Sequence, residues 1–104
     1  MEIMSNQYYK LEGQSVVALE SFMEWSLWIS DANTTVMINE IHNCIISTNF
    51  VGINLQLCNC NKPMVFETLV MGGVLDGKRN FYPTWDEAIQ GHLKICTQAF
   101  KLLE

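Results

Sequence analysis

Two histidines and four cysteines are the side chains here best suited to chemistry, and their spacing decides how far each reading goes. Cys58-Asn59-Cys60, with His42, Cys44 and His92 elsewhere, offers the thiolate and imidazole ligands that zinc prefers. A structural zinc site brings its ligands in pairs at C-x2-C or H-x3-H spacing, and neither pair occurs. The other reading is a polar turn with two reduced cysteines, so neither a metal nor any other cofactor is expected. Cys44 stands two residues from His42, on the same strand face if the turn permits, as a thiol and its base would. No third orienting group or oxyanion feature accompanies them. His92 falls on the apolar stripe of a C-terminal helix, where a hydrogen-bonded core histidine is the ordinary occupant. The expectation is a protein that is not an enzyme.

Binding is a different matter. Glu67 and Thr68 sit mid-strand between Phe66 and Leu69, so one of the two must face inward, and a buried carboxylate needs a partner. Arg79 is the chain's one guanidinium, a planar fork suited to a carboxylate or a phosphate. It either pairs with Glu67 or forms, with Lys78, the anion-contacting end of a pocket. In the pocket reading Tyr82, Trp85 or Phe50 stacks on a ring. Against a phosphate there, Asp86 and Glu87 already occupy the helix N-terminus that would favour it.

The elements that must position these groups follow from periodicity. Residues 1–14 are polar and mixed, a loosely ordered arm or short strand. From Val16 the apolar positions Val16, Leu19, Phe22, Met23 and Ile29 recur at three and four, predicting a helix over about 15–30 with Ser15 as its N-cap. Trp25 and Trp28 form a second stripe on it. A unit of this size buries only one of the two stripes, leaving the tryptophans as candidates for a subunit interface. Thr35 to Ile41 and Cys44 to Leu57 read as strands joined by a tight turn at His42-Asn43. Gly52 marks a bulge or a close backbone approach. Met64 to Met71 read as the next strand, followed by a polar loop at 76–80 and a short extended Phe81-Tyr82 pair. Thr84-Trp85-Asp86-Glu87 has the form of a capping box. Beyond it Trp85, Ala88, Ile89, His92, Ile95, Cys96, Ala99, Phe100 and Leu103 keep helical spacing. The expected fold is α+β: an antiparallel meander of three or four strands with an N-terminal and a C-terminal helix on one face, in a single domain over 1–104.

Composition limits the partners. At 104 residues such a domain buries roughly 60–70% of its unfolded-chain surface, and 49% hydrophobic against 16% charged residues is apolar-rich for a small monomer. A homo-oligomer is therefore expected. Net charge −5 and a pI near 4.8 argue against DNA or RNA, whose non-specific affinity comes from cations neutralising phosphates. No apolar run approaches the roughly 20 residues of a membrane span, and the acidic N-terminus has no signal-like basic region. A cytoplasmic protein with thiols left reduced is expected.

Four segments, WSLWISDANTTVMINEI, ISTNFVGIN, KPMVFETLVMGG and YPTWDEAIQGH, carry a resemblance. In their S-T-x-F-x-G, F-E-T-x-V-x-G-G and T-W-x-E-A-x-x-G-H order the chain, over about residues 22–96, resembles a family of small uncharacterised proteins encoded by tailed phages and prophages. It departs from the usual pattern with Ile53-Asn54 where Asp-His is common, and with Asn80-Phe81 where an Arg often precedes the tyrosine. By analogy with other phage proteins of this size, the resemblance implies counter-defence in the host bacterial cytoplasm. The form it suggests is an oligomeric sponge for a small anionic nucleotide, cyclic ADP-ribose or a cyclic oligonucleotide. Phe50, Asn54, Arg79, Tyr82 and Trp85 are the candidate ligand contacts. The alternative is an inhibitor that occludes a host defence enzyme through its acidic surface.

Overall fold

The computed structural model describes residues 7–54 and 62–102. Its order is β1 (Tyr8–Glu12), β2 (Ser15–Leu19), α1 (Phe22–Ile29), β3 (Thr35–Ile41), β4 (Cys44–Phe50), β5 (Phe66–Met71), β6 (Arg79–Tyr82) and α2 (Trp85–Lys101). The fold is α+β. The last four strands form an antiparallel meander in chain order, and the first two form a separate hairpin.

The helix expected over 15–30 is shorter. Residues 15–19 pair instead with Tyr8–Glu12, Tyr8 facing Leu19 and Glu12 facing Ser15 across a turn at Gly13-Gln14. Val16, Val17 and Leu19 satisfy a strand as readily as a helix, and the partner strand in the presumed arm tips the balance through ladder hydrogen bonds. The N-cap is Ser21 rather than Ser15: its hydroxyl accepts from the Glu24 amide at 3.2 Å, while the Glu24 carboxylate accepts from the Glu20 amide at 2.8 Å. The strand expected over 44–57 is regular only to Phe50, and its residues 55–57 lie outside the described ones.

Alternation then sorts the sheet into two faces. Cys44, Ile46, Thr48 and Phe50 of β4 and Phe66, Thr68 and Val70 of β5 are buried beneath α2, which turns Ala88, His92, Ile95 and Ala99 toward them. The result is two apolar clusters. Cys44, Ile46, Val70, Ile95 and Ala99 fill one end, and Phe50, Val65, Phe66 and Ala88 fill the other. Trp28, Val36, Tyr82 and Trp85 close over the second cluster. Helix α2 starts where the sequence says: Thr84 Oγ1 accepts from the Glu87 amide at 3.1 Å and donates to the Glu87 carboxylate at 2.9 Å.

Candidate functional site

Between the two apolar clusters lies one polar layer, with Thr48 from β4, Thr68 from β5 and His92 from α2, all fully buried. The two threonine hydroxyls are 2.5 Å apart, and Thr48 Oγ1 is 2.7 Å from His92 Nδ1. On the other side of the imidazole, His92 Nε2 is 2.7 Å from Asn39 Oδ1 on β3. An amide oxygen only accepts, so Nε2 carries the proton and Nδ1 accepts from the Thr48 hydroxyl, which in turn accepts from Thr68. Every buried polar atom of the layer is thereby matched. Burial holds the His92 pKa below its usual value, which keeps the ring neutral. One residue from each of three sequence segments, ISTNFVGIN, KPMVFETLVMGG and YPTWDEAIQGH, meets at this point: Thr48, Thr68 and His92. A histidine with both nitrogens engaged and no solvent contact has no free atom for a substrate.

The candidate nucleophile Cys44 is also buried. His42 takes the turn with φ 55° and stays exposed, while Cys44 turns under α2 and is 6% exposed. Burial raises the Cys44 pKa, and the Asp76 carboxylate adds to it. Cys96 is raised too, by burial first and then by Cys44. A thiol held protonated is a poor nucleophile and a poor ligand. Both Cys44 and His42 line a mainly apolar cleft of about 210 Å³ at this end of the sheet, together with Ile41, Val74, Leu75 and Leu102. Among the described residues no three His, Cys, Asp or Glu side chains gather as a metal site. The Cys58-Asn59-Cys60 segment lies outside the described residues.

Of the five residues expected to contact a ligand, Phe50, Tyr82 and Trp85 come together as packing residues of the second apolar cluster, and Arg79 does not join them. Phe50 is 1% exposed, its ring edge-on to Trp28 and Phe66 at centroid distances of 5.7 and 5.1 Å, with no face open to a nucleobase. Trp85 stands edge-on to Phe66 at 6.3 Å. Tyr82 lies against Gly91 of α2, its hydroxyl buried without a hydrogen-bond partner among the described residues. Asn54 Oδ1 accepts from the Met64 amide at 3.0 Å, and the Asn54 backbone amide donates to the Gln7 carbonyl at 3.0 Å. Arg79 is on the opposite face of the sheet from Tyr82, because positions three apart on a strand point in opposite directions. Its guanidinium pairs with Glu67 at 3.3 Å, as one of the two sequence readings has it. Thr68, not Glu67, is the inward member of that pair of neighbours.

The tryptophans are also used internally. Trp28 packs on Phe50. Trp25 stacks with Tyr8 and Phe22, and its Nε1 lies over Gly52, where a Cβ would come within 2.5 Å of it and 2.8 Å of the Tyr9 carbonyl. With φ +78° as well, Gly52 is the close backbone approach expected from the sequence. What α1 exposes instead is Phe22, Met23 and Leu27.

A surface emerges that sequence reasoning did not single out, the sheet face turned away from α2. The register sets its side chains in rows: Glu40, Ile45 and Met71; then Ile38, Ser47, Leu69 and Arg79; then Asn49, Glu67 and Phe81. Ile38 is 58% and Met71 45% exposed, and among the described residues no helix or hairpin packs across them. Each row mixes apolar side chains with an acid, an amide or the guanidinium. The signal for it is the odd positions of β4 and β5, which alternate with the buried ones.

Protein-family models, curated proteins and solved structures all returned no match to this chain. Its function therefore has to be argued from the surfaces above. No helix among the described residues is long and apolar enough to cross a membrane.

Proposed function

We propose that this chain is a non-catalytic binding protein whose working surface is the bare face of its sheet, and that it acts by occluding a protein of the host in the phage setting its motifs imply. The observation that carries this reading is the row pattern. Ile38, Ile45, Leu69, Met71 and Phe81 alternate with Glu40, Glu67, Asn49 and Arg79 over one uncovered face. That mixture of apolar and aromatic side chains with an arginine and a few polar groups is what protein interfaces use. The net charge of −5 favours a basic partner and speeds its encounter. Engagement of His92 and Cys44 in the core supports a role without turnover.

A second reading keeps the nucleotide. Arg79 and Phe81, two residues apart on β6, share the bare face, and a guanidinium beside an aromatic ring is a minimal contact set for a cyclic nucleotide signal. A thermal-shift titration with cyclic ADP-ribose and cyclic oligonucleotides separates the two. A Tm rise that Arg79→Ala abolishes supports the sponge, because tight binding to the native state must stabilise it. Occlusion of a protein predicts no shift, together with capture of one host protein that Leu69→Glu releases. Capture unaffected by Leu69→Glu would remove the bare face from the mechanism.

A further inference from the structure

β3 is an edge strand. The meander order leaves its outer side without a partner strand among the described residues. It runs for seven residues, TVMINEI, without the Lys, Arg or Pro by which edges are usually blunted. A register shift between Thr35 and Met37 sets Val36 outside the regular ladder, so the regular edge runs from Met37 to Ile41.

The hairpin turn fixes which backbone groups face outward. Ile41 and Cys44 close a two-residue loop, so they form a hydrogen-bonded pair, and pairs then alternate along the ladder. Ile41, Asn39 and Met37 therefore direct their amides and carbonyls to β4. Ile38 and Glu40 direct theirs away from the sheet. Of the side chains at these two positions, Ile38 is 58% exposed on the bare face.

We infer that a second copy of this chain pairs with β3, antiparallel about a twofold axis at Ile38, joining the two meanders into one continuous sheet. In that register the Ile38 residues exchange both backbone hydrogen bonds, and each Glu40 amide points to the Val36 position of the other copy, at the register shift. The two Ile38 side chains lie side by side on the bare face, and each Glu40 falls opposite Val36 of the other copy, whose side chain packs into the core, so no like charge opposes it. A twofold at Glu40 would set like charges directly opposite, which is unfavourable. A twofold at Asn39 would set each Ile38 against a Glu40 carboxylate. The strand is thus self-complementary in one register, which is the requirement for an isologous interface. The inference does not depend on the target proposed above, since it is read from the backbone of the strand edge, although Ile38 and Glu40 also belong to the bare face.

The test is the mass of the intact chain in solution against concentration, together with backbone amide exchange. The expected species is a dimer, twice 11.9 kDa. Ile38→Lys, which places two ammonium groups together on an exposed site, should weaken association at least about tenfold with the monomer still folded. Even if that variant folds poorly, the native protein still decides. Exchange at the Ile38 and Glu40 amides should slow as the dimer fills, while other edge amides such as those of β6 stay unchanged. A monomer at the highest soluble concentration overturns the inference, as does a dimer whose Ile38 and Glu40 amides exchange at the monomer rate, or one that Ile38→Lys leaves intact.

Discussion

The ring of Tyr82 occupies the space that a side chain on Gly91 would need: a Cβ there would overlap Cε1, Cζ and the hydroxyl. This contact sets how closely α2 lies on β6. Gly91→Ala should gain up to about 1 kcal/mol of helix propensity and lose about 1–3 kcal/mol to overpacking. The expected net result is a Tm lower by roughly 5 °C or more. Adding Tyr82→Ala should reverse the sign of the Gly91→Ala effect, which a double-mutant cycle by thermal melting would read. Additive effects would mean that the ring and the glycine are not in contact.

His92 makes stability depend on pH. The folded state holds it neutral with a lowered pKa, whereas the unfolded chain takes up a proton near the ordinary value of 6.5. The unfolded state thus binds more protons below that value, and stability is full above it and falls as the pH drops toward the lowered folded pKa. The slope in that window should reach at most about 1.4 kcal/mol per pH unit. Urea unfolding between pH 7.5 and 5 should show this decline in the native chain and a flatter curve in His92→Gln. The variant should also lose about 1–3 kcal/mol near neutral pH through the disturbed Thr48 and Asn39 contacts.

Arg79 is expected to be dispensable for folding. Its bond to Glu67 is on an exposed face, the arginine side chain being 58% accessible, and such pairs contribute about 0–1 kcal/mol. Arg79→Ala should shift the Tm by no more than a few degrees, less still in high salt. A collapse of the fold would show the pair to be structural after all.

Cys44 should be slow to react. At 6% exposure, and with burial raising its pKa, it presents little thiolate. Alkylation by iodoacetamide, followed by mass spectrometry of the Cys44 peptide, should be at least about tenfold slower in the native protein than in urea, because reaction waits on local opening. Equal rates would place the thiol at the surface.

How much of this was legible beforehand can be argued residue by residue. Thr84 and Glu87 announce the start of α2, His42-Asn43 announces the β3–β4 turn, and the alternation of Ile46, Thr48 and Phe50 announces a strand with one buried side. Arg79 and Asn80, expected in the polar loop at 76–80, are instead the first residues of β6, because they pair with Leu69 and Thr68. Only that pairing puts positions 79 and 82 on one strand and so on opposite faces, which keeps Arg79 and Tyr82 from lining one pocket. Thr48 and Thr68 stood as polar residues in buried positions, each requiring a partner.

By itself, then, the sequence determined what short-range chemistry determines: caps, turns, the period of α2 and the two faces of β4 and β5. Tertiary structure decided the rest. Residues 15–19 fit a helix and a strand almost equally, and only the presence of Tyr8–Glu12 alongside them made the strand. His92 became a core residue because Thr48, from forty-four positions earlier, and Asn39, from fifty-three, arrived at its two nitrogens. Hydrogen bonds over such separations form only when packing brings their ends together, and no local pattern encodes that meeting.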